Sequence, residues 1–249
     1  MRLIVCISNV PDTTTKVRFT ENQTRFDESG VQWIINPWDE LALTRAIDLK
    51  EDSNNPVAEV VVVNVGSVDT EPTLRKCLAI GADSAIRIDT APKDAFFTAQ
   101  QIASQVSKEH FDFIICGIES GDYNGSSVGG MVSEFLGIES ISSVSDLRFE
   151  DGKAIVERDI AAGTEHLQVS GAVVLIVQKG FATEPRIPNM RGIMMARQKP
   201  LKVIPAVEAE ALTEYTAFQL PQPKAKVKMI NPDQVAELVN LLSTEAKVL

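Results

Sequence analysis

Residues 111–137, FDFIICGIESGDYNGSSVGGMVSEFLG, decide how the chain folds. Phe111–Cys116 is a β-rich run without period-two alternation, as expected of a parallel strand covered on both faces. It runs into a loop with Gly117, Gly121 and Gly125. Ser126 and Ser127 then offer N-caps to a helix that sets Val128, Met131, Val132 and Phe135 on its buried face and stops at Gly137. Strand, glycine-rich loop and helix in this order bring unpaired helix N–H groups to the carboxyl end of a strand. Open α/β sheets bind ligands there, and such N–H groups suit a phosphate. The competing reading is a connecting loop in which the glycines only permit the turn.

The flanking sequence repeats the pattern. Leu3–Ile7 and Val60–Val65 are further buried strands. Asn36-Pro37 supplies an N-cap and a first-turn proline, with Asp39 and Glu40 at the positive end of a helix whose apolar face runs through Leu43, Ala46 and Ile47. A second helix near 70–80 closes at Gly81. A third near 94–108 buries Phe96, Ala99, Ile102, Ala103 and Val106. Strands alternating with helices at this rhythm predict an α/β fold, a Rossmann-like doubly wound sheet of mostly parallel strands. The first strand ends Cys6-Ile7-Ser8-Asn9-Val10-Pro11, with neither GxGxxG nor GxxxxGK[ST]. A nucleotide would therefore set its phosphate in the Gly117 loop and its base against the ends of the first two strands.

Residues 142–178 change character. Asp151-Gly152 reads as a hairpin turn between Leu147/Phe149 and Ile155/Val156, a strand follows through Leu167 and Val169, and Ala172–Val177 returns to a buried run. This predicts a small antiparallel extension. After Pro205 the globular pattern fades into an arm with Pro221 and Pro223. Asn231-Pro232 opens a final amphipathic helix with Val235, Leu238, Val239 and Leu242 on one face. A lone helix on an arm is marginal in water unless docked, on its own domain or, as the arm's length favours, on a partner. The chain thus divides into residues 1–204 and an appendage, 205–249.

A net charge of −10 and a pI near 4.8 argue against nucleic acid, which demands a basic surface. No apolar run approaches the roughly 20 residues that cross a bilayer, and MRLIVCISNV reads as a first strand rather than a signal peptide. Cys6, Cys77 and Cys116 are far apart, lack a CxxC pair and sit in apolar patterns, so they read as buried small hydrophobes in a reducing compartment. His110 and His166 are scattered, and HExxH and GxSxG are absent. Nothing demands that the chain catalyse a reaction by itself.

Residues 184–200, EPRIPNMRGIMMARQKP, reverse the charge locally. Arg186, Arg191, Arg197, Lys199 and Lys202 surround Met190, with no acid between Glu184 and Glu208. A flexible basic segment presenting one apolar anchor suits protein docking, because charge steers the encounter and burial of the anchor holds it. An ordinary solvated helix end is the other reading.

Val10-Pro11-Asp12, Asn36-Pro37-Trp38-Asp39-Glu40, Cys77–Asp83, the Gly117–Gly137 loop and helix, Val156-Glu157-Arg158, Gly163-Thr164-Glu165, Glu184-Pro185-Arg186, Gly192-Ile193-Met194, Lys199-Pro200 and the Asn231–Leu249 helix follow one another in an order that resembles the β subunits of electron transfer flavoproteins, nearly end to end. The resemblance implies an adenine nucleotide alpha hydrolase-like Rossmann variant that forms an obligate heterodimer with an α subunit. FAD would reside mainly on α, with structural AMP in this chain. Electrons would pass from acyl-CoA dehydrogenases to a membrane ETF-quinone oxidoreductase, making the chain a carrier subunit rather than an enzyme. It would work in the bacterial cytoplasm or the mitochondrial matrix, without inserting into the membrane.

By position, Cys6, Asn36, Pro37, Trp38, Asp39 and Val65 would wall the adenosine. Gly117, Gly121, Asp122, Asn124, Gly125, Ser126, Ser127 and Val128 would hold ribose and phosphate, and Trp38 would also stand near the α-subunit flavin. Glu184, Pro185, Arg186, Met190, Arg191, Ile193, Met194 and Arg197 would form the recognition loop, with Met190 as the anchor. The chain departs from the family pattern at Ala161 and Ala172. Asp122–Gly130 also differs from the DGDTAQVGP of electron-bifurcating members, which favours AMP over a second FAD. The alternatives are such a bifurcating subunit, oxidising NADH, or a stand-alone adenine-nucleotide module.

Overall fold

The computed structural model describes residues 1–224 and 226–249, and among these nine strands form one sheet. In chain order the elements are β1 (Arg2–Cys6), the short strands β2 (Asn9–Pro11), β3 (Phe19–Thr20), β4 (Arg25–Phe26) and β5 (Trp33–Ile35), helix α1 (Pro37–Glu51), β6 (Glu59–Gly66), α2 (Glu71–Ile80), β7 (Ser84–Asp89), α3 (Ala95–Val106), β8 (Phe113–Gly117), α4 (Val128–Leu136), β9 (Glu139–Glu150), β10 (Lys153–Ile160), β11 (Gly163–Val169), β12 (Val173–Val177), α5 (Met190–Ala196), β13 (Leu201–Pro205) and α6 (Val235–Thr244).

The sheet order is β11-β10-β9-β12-β8-β1-β6-β7-β13. From β9 to β13 every neighbouring pair is parallel. The central strands are apolar at successive positions because helices cover both sheet faces. Leu3, Val5, Val60 and Val62 meet Leu43, Ile47, Leu74 and Leu78 of α1 and α2 on one side. Ile4, Cys6, Val61, Val63, Ile114 and Cys116 meet Ala99, Ile102, Val106 and Val132 of α3 and α4 on the other. The fold is the expected α/β sheet, with all three cysteines buried and free.

Chain direction reverses beside β1. The path leads from β1 outward to β6 and β7, then returns to lay β8 on the other flank of β1. This reversal is a topological switch point at the carboxyl ends of β1 and β8, the position at which open α/β sheets bind ligands.

The antiparallel strands continue the main sheet. β9 pairs in parallel with β12 and antiparallel with β10, which pairs antiparallel with β11. Asp151 and Gly152 have φ of +49° and +77°, the left-handed pair that a two-residue hairpin turn of matching twist requires.

Three local features differ from the sequence reading. Phe135 is exposed at the end of α4, its ring set edge-on to Phe96 at 5.1 Å, and Met131 is only half-buried, because α4 lies beside α3 rather than beneath it. The segment after Glu184 contains a capped helix, α5, whose Asn189 side chain accepts from Gly192 N at 2.8 Å. The arm is tied to the domain along its first half. The Gln101 side chain exchanges hydrogen bonds of 2.8 and 2.9 Å with the Val207 backbone, and Asp94 accepts from the N–H groups of Leu212 and Thr213. Phe218 stacks on Phe19 and Tyr215 on Tyr123. Helix α6 buries none of its residues, and Val235, Leu238 and Val239 are exposed.

Candidate nucleotide site and docking surface

The switch point at the ends of β1 and β8 is tied by two side chains from the start of α1. Asp39, 3% exposed, accepts from Ser8 N at 2.7 Å and Gly117 N at 3.0 Å, joining the ends of both strands. Asn36 flanks α1 but does not cap it. Its amide donates to Glu119 O at 2.8 Å and accepts from Gly121 N at 3.1 Å, so it holds the first turn of the glycine-rich loop. The N-cap expected of Asn36 is therefore corrected: the loop offers a better-placed donor and acceptor than the helix's own first turn. Gly117 is required where it stands. A Cβ there would lie 2.4 Å from Asp39 Oδ1 and 2.6 Å from Trp38 Cβ.

Burial is the chief influence on Asp39. It pushes the carboxyl up to about 7 from its ordinary 3.8, against the opposing donors at Ser8, Asn36 and Gly117. The thiol of Cys6, beside Cys116 on the neighbouring strand, is raised well above the usual range by its contact with Cys116 and by burial. Such thiols are inert core groups.

Among the remaining expected site residues, Pro37 and Trp38 lie at the first turn of α1, Pro37 exposed and Trp38 half-buried. Cys6 and Val65 belong to the buried cluster on the opposite sheet face, near the strand ends. The loop from Gly121 to Ser126 is exposed. Asn124 and Ser126 adopt left-handed φ of +50° and +48°. Their side chains converge on one carboxylate: Asn124 Nδ2 donates to Glu119 Oε1 at 3.1 Å and Ser126 Oγ to Glu119 Oε2 at 3.2 Å. Ser127 flanks α4 without capping it and donates instead to Gly125 O at 2.6 Å. The expected serine caps are thus turned into the loop, and the first N–H groups of α4, beginning at Val128, receive no side-chain acceptor from Ser127. Asp122 accepts from Tyr123 N at 2.9 Å.

The strand-end network extends beyond the residues singled out in the sequence. Asn64 Nδ2 donates to Ile7 O at 2.8 Å and Thr70 Oγ1 donates to Asn64 Oδ1 at 2.8 Å, both buried. Arg87, buried on β7, donates to Gly66 O and pairs with Glu71 and Asp89. An apolar run interrupted by arginine gave β7 no strand signature, and only the fold brings Arg87 under the end of β6.

The second surface lies around α5. Of the five cations expected to steer a partner, two are engaged internally. Arg186 pairs with Asp48 and Glu51 of α1, its pKa raised chiefly by the hydrogen bond to Glu51. Lys199 donates to Leu78 O at 3.0 Å and Ala82 O at 2.6 Å at the end of α2, and burial lowers its pKa. These two contacts anchor the segment; Arg191, Arg197 and Lys202 remain exposed. Glu184 and Pro185 are exposed at its entrance. Met190 is 74% exposed, with Ile193 and Met194 beside it on α5, and Ile187 is 91% exposed. Ile187 escaped the sequence reading because an apolar residue between Arg186 and Pro188 carries no period. Gly192 permits α5 to press on α2, since a Cβ there would meet Ala79 O at 2.4 Å.

Among the described residues no helix is long and apolar enough to cross a membrane, and no group of acidic, histidine and cysteine residues is placed to hold a metal. The family profile described as electron transfer flavoprotein domain matches residues 23–209. The chain is 34% identical to the electron transfer flavoprotein subunit beta of Syntrophomonas wolfei over 90% of its length and 88% of that protein. It is 31% identical to the Bacillus subtilis subunit beta over the whole of both chains. It is also 31% identical to subunit CarD of the Caffeyl-CoA reductase-Etf complex of Acetobacterium woodii, over 82% of this chain and 78% of that one. Together with a parallel sheet whose switch point is tied by Asp39, these matches place the chain in the electron transfer flavoprotein family, as a β subunit that pairs with an α subunit in a flavoprotein electron carrier.

Proposed function

We propose that this subunit helps carry electrons from acyl-CoA dehydrogenases to a membrane ETF-quinone oxidoreductase, with structural AMP at the β1–β8 switch point and FAD held mainly by the α subunit. One observation carries the nucleotide assignment. Asn36 and Asp39 clamp the strand ends and the glycine-rich loop, leaving the start of α4, without a side-chain cap, facing that loop. The donors there are the first N–H groups of α4, joined by the amide of Asn124 and the hydroxyls of Ser126 and Ser127 once a ligand draws them from Glu119 and Gly125 O, a set that suits one phosphate group. Cys6, Asn36, Trp38, Asp39 and Val65 would wall the adenosine, and the nucleotide would tie β1, β8 and α1 together. FAD supplies the redox chemistry when bound; this chain orients, excludes water and docks, without catalytic residues of its own.

Residues 1–204 form the nucleotide-binding and docking unit in this reading, and 205–249 reach the α subunit. The apolar face of α6 supports that role, because a helix of this length needs a partner to be stable. Met190 and Ile187 are the anchors offered to a dehydrogenase, with Arg191 and Arg197 steering the approach and Arg186 bracing the loop. The carrier would operate in the bacterial cytoplasm or the mitochondrial matrix.

The likeness to CarD, whose name places it in a reductase complex, favours a second reading in which this chain holds FAD and the dimer bifurcates electrons from NADH. Co-expression with the α subunit, denaturation of the purified heterodimer and mass identification of the released nucleotides separate the two. One FAD and one AMP per heterodimer are expected. Two FADs, or no adenylate beyond FAD, would refute the assignment.

A further inference from the structure

Helix α5 carries the exposed anchor Met190, yet of its seven residues only Ala196 is buried. A helix this short is marginal by itself, and so little buried side chain contributes little to holding it on the domain. Polar contacts with α2 supply the rest. Arg75, half-buried on α2, donates through Nη1 to Ala196 O at 2.8 Å and to Lys199 O at 2.9 Å. Ala196 O belongs to the last turn of α5, whose carbonyls lack helical partners. Lys199 completes the exchange by donating to Leu78 O and Ala82 O where α2 ends. Each helix therefore receives at its carboxyl end a cation from the other segment, which also suits the negative pole of its dipole. Between these two ties the backbones approach closely at Gly192 and Ala79 O.

We propose that Arg75 is a positioning residue that holds α5 folded in advance for the dehydrogenase; the inference rests on the docking reading above. Arg75 acts through α5 and not on the partner. With α5 ordered in the free subunit, the conformational entropy of the segment is lost on folding rather than on binding, and the partner meets a preformed surface. Without the guanidinium the docking-competent fraction falls, and the apparent affinity falls by the same factor. Once docked, the segment has the same conformation in either protein, so electron transfer within the complex keeps its rate.

The test uses the heterodimer with the α subunit, supplied at varied concentration as electron acceptor to an acyl-CoA dehydrogenase. Arg75→Gln removes the charge and one of the donors. It should raise the apparent KM for the heterodimer about tenfold and leave kcat unchanged. Arg75→Lys, which keeps a cation for the two carbonyls, should recover most of that loss. Reduction by dithionite, which needs no docking, should match wild type in both variants, with full flavin content. Hydrogen exchange of the α5 amides should quicken in Arg75→Gln, while the amides of α2 stay protected. A wild-type KM in Arg75→Gln, or unchanged exchange in α5, would overturn the proposal, and slowed acceptance by Met190→Ala would leave the docking reading standing. Loss of flavin, or a fall in kcat equal to the rise in KM, in both Arg75 variants would also overturn it, since Arg75 would then support the fold as a whole. Should Met190→Ala and Arg75→Gln both match wild type in kinetics, the docking reading falls and the proposal falls with it.

Discussion

Replacing Asp39 with asparagine should change how stability depends on pH. The carboxyl is buried, and burial raises it to about 7 from an ordinary 3.8. Between these values the native state holds a proton that the unfolded chain has released. The contribution of Asp39 is therefore full below about pH 4 and is lost as pH climbs through 7. At about 1.4 kcal/mol per pH unit across that interval, the loss is on the order of 4 kcal/mol. Asp39→Asn keeps a carboxamide oxygen for one of the two N–H donors and has no proton to lose. The stability difference between wild type and variant should thus shrink, or reverse in favour of the variant, from pH 5 to pH 8. Asp39→Ala removes both acceptors and strands the part-buried N–H groups of Ser8 and Gly117, at about 1 kcal/mol or more each at any pH. The assay is urea unfolding of the heterodimer at fixed protein and flavin concentration, followed by tryptophan fluorescence. Parallel pH profiles for wild type and Asp39→Asn would show that the carboxylate is ionised in the fold throughout, its donors outweighing burial, and would refute the reasoning.

Gly117→Ala forces a methyl group into Asp39 Oδ1 and Trp38 Cβ; overpacking of this kind costs about 1–3 kcal/mol, and the purified variant should release less nucleotide on denaturation. Met190→Ala and Ile187→Ala should slow electron acceptance from an acyl-CoA dehydrogenase severalfold in stopped-flow reduction while flavin content stays intact, and rates equal to wild type would count against the docking role. Arg186→Ala should destabilise the docking loop by no more than about 1 kcal/mol, because its partners Asp48 and Glu51 are well exposed, as a thermal melt can check. Deleting residues 232–249 should weaken association with the α subunit in sedimentation while leaving the far-ultraviolet spectrum of the α/β domain essentially unchanged.

The sequence by itself determined the layers. The mostly apolar, β-rich runs at Leu3–Ile7, Val60–Val65 and Phe111–Cys116, without period-two alternation, demand cover on both faces, and the helical periods between them supply it, so local chemistry alone implies a parallel α/β sheet. The Asp151-Gly152 turn was equally legible, since few residues tolerate left-handed φ at two successive positions. Tertiary structure decided which polar groups meet. Asn36 looks like a helix cap in one dimension, yet in space a loop more than 80 residues away competes for its amide and wins. Arg186 and Lys199 read as free cations in a basic segment, but their partners Glu51 and Ala82 lie at the end of α1 and in the turn after α2. Glu119 carried no motif, and its grip on Asn124 and Ser126 exists only once the loop has closed. Periodicity records which side of an element is dry, whereas hydrogen-bond pairing depends on distances that the chain acquires only on folding.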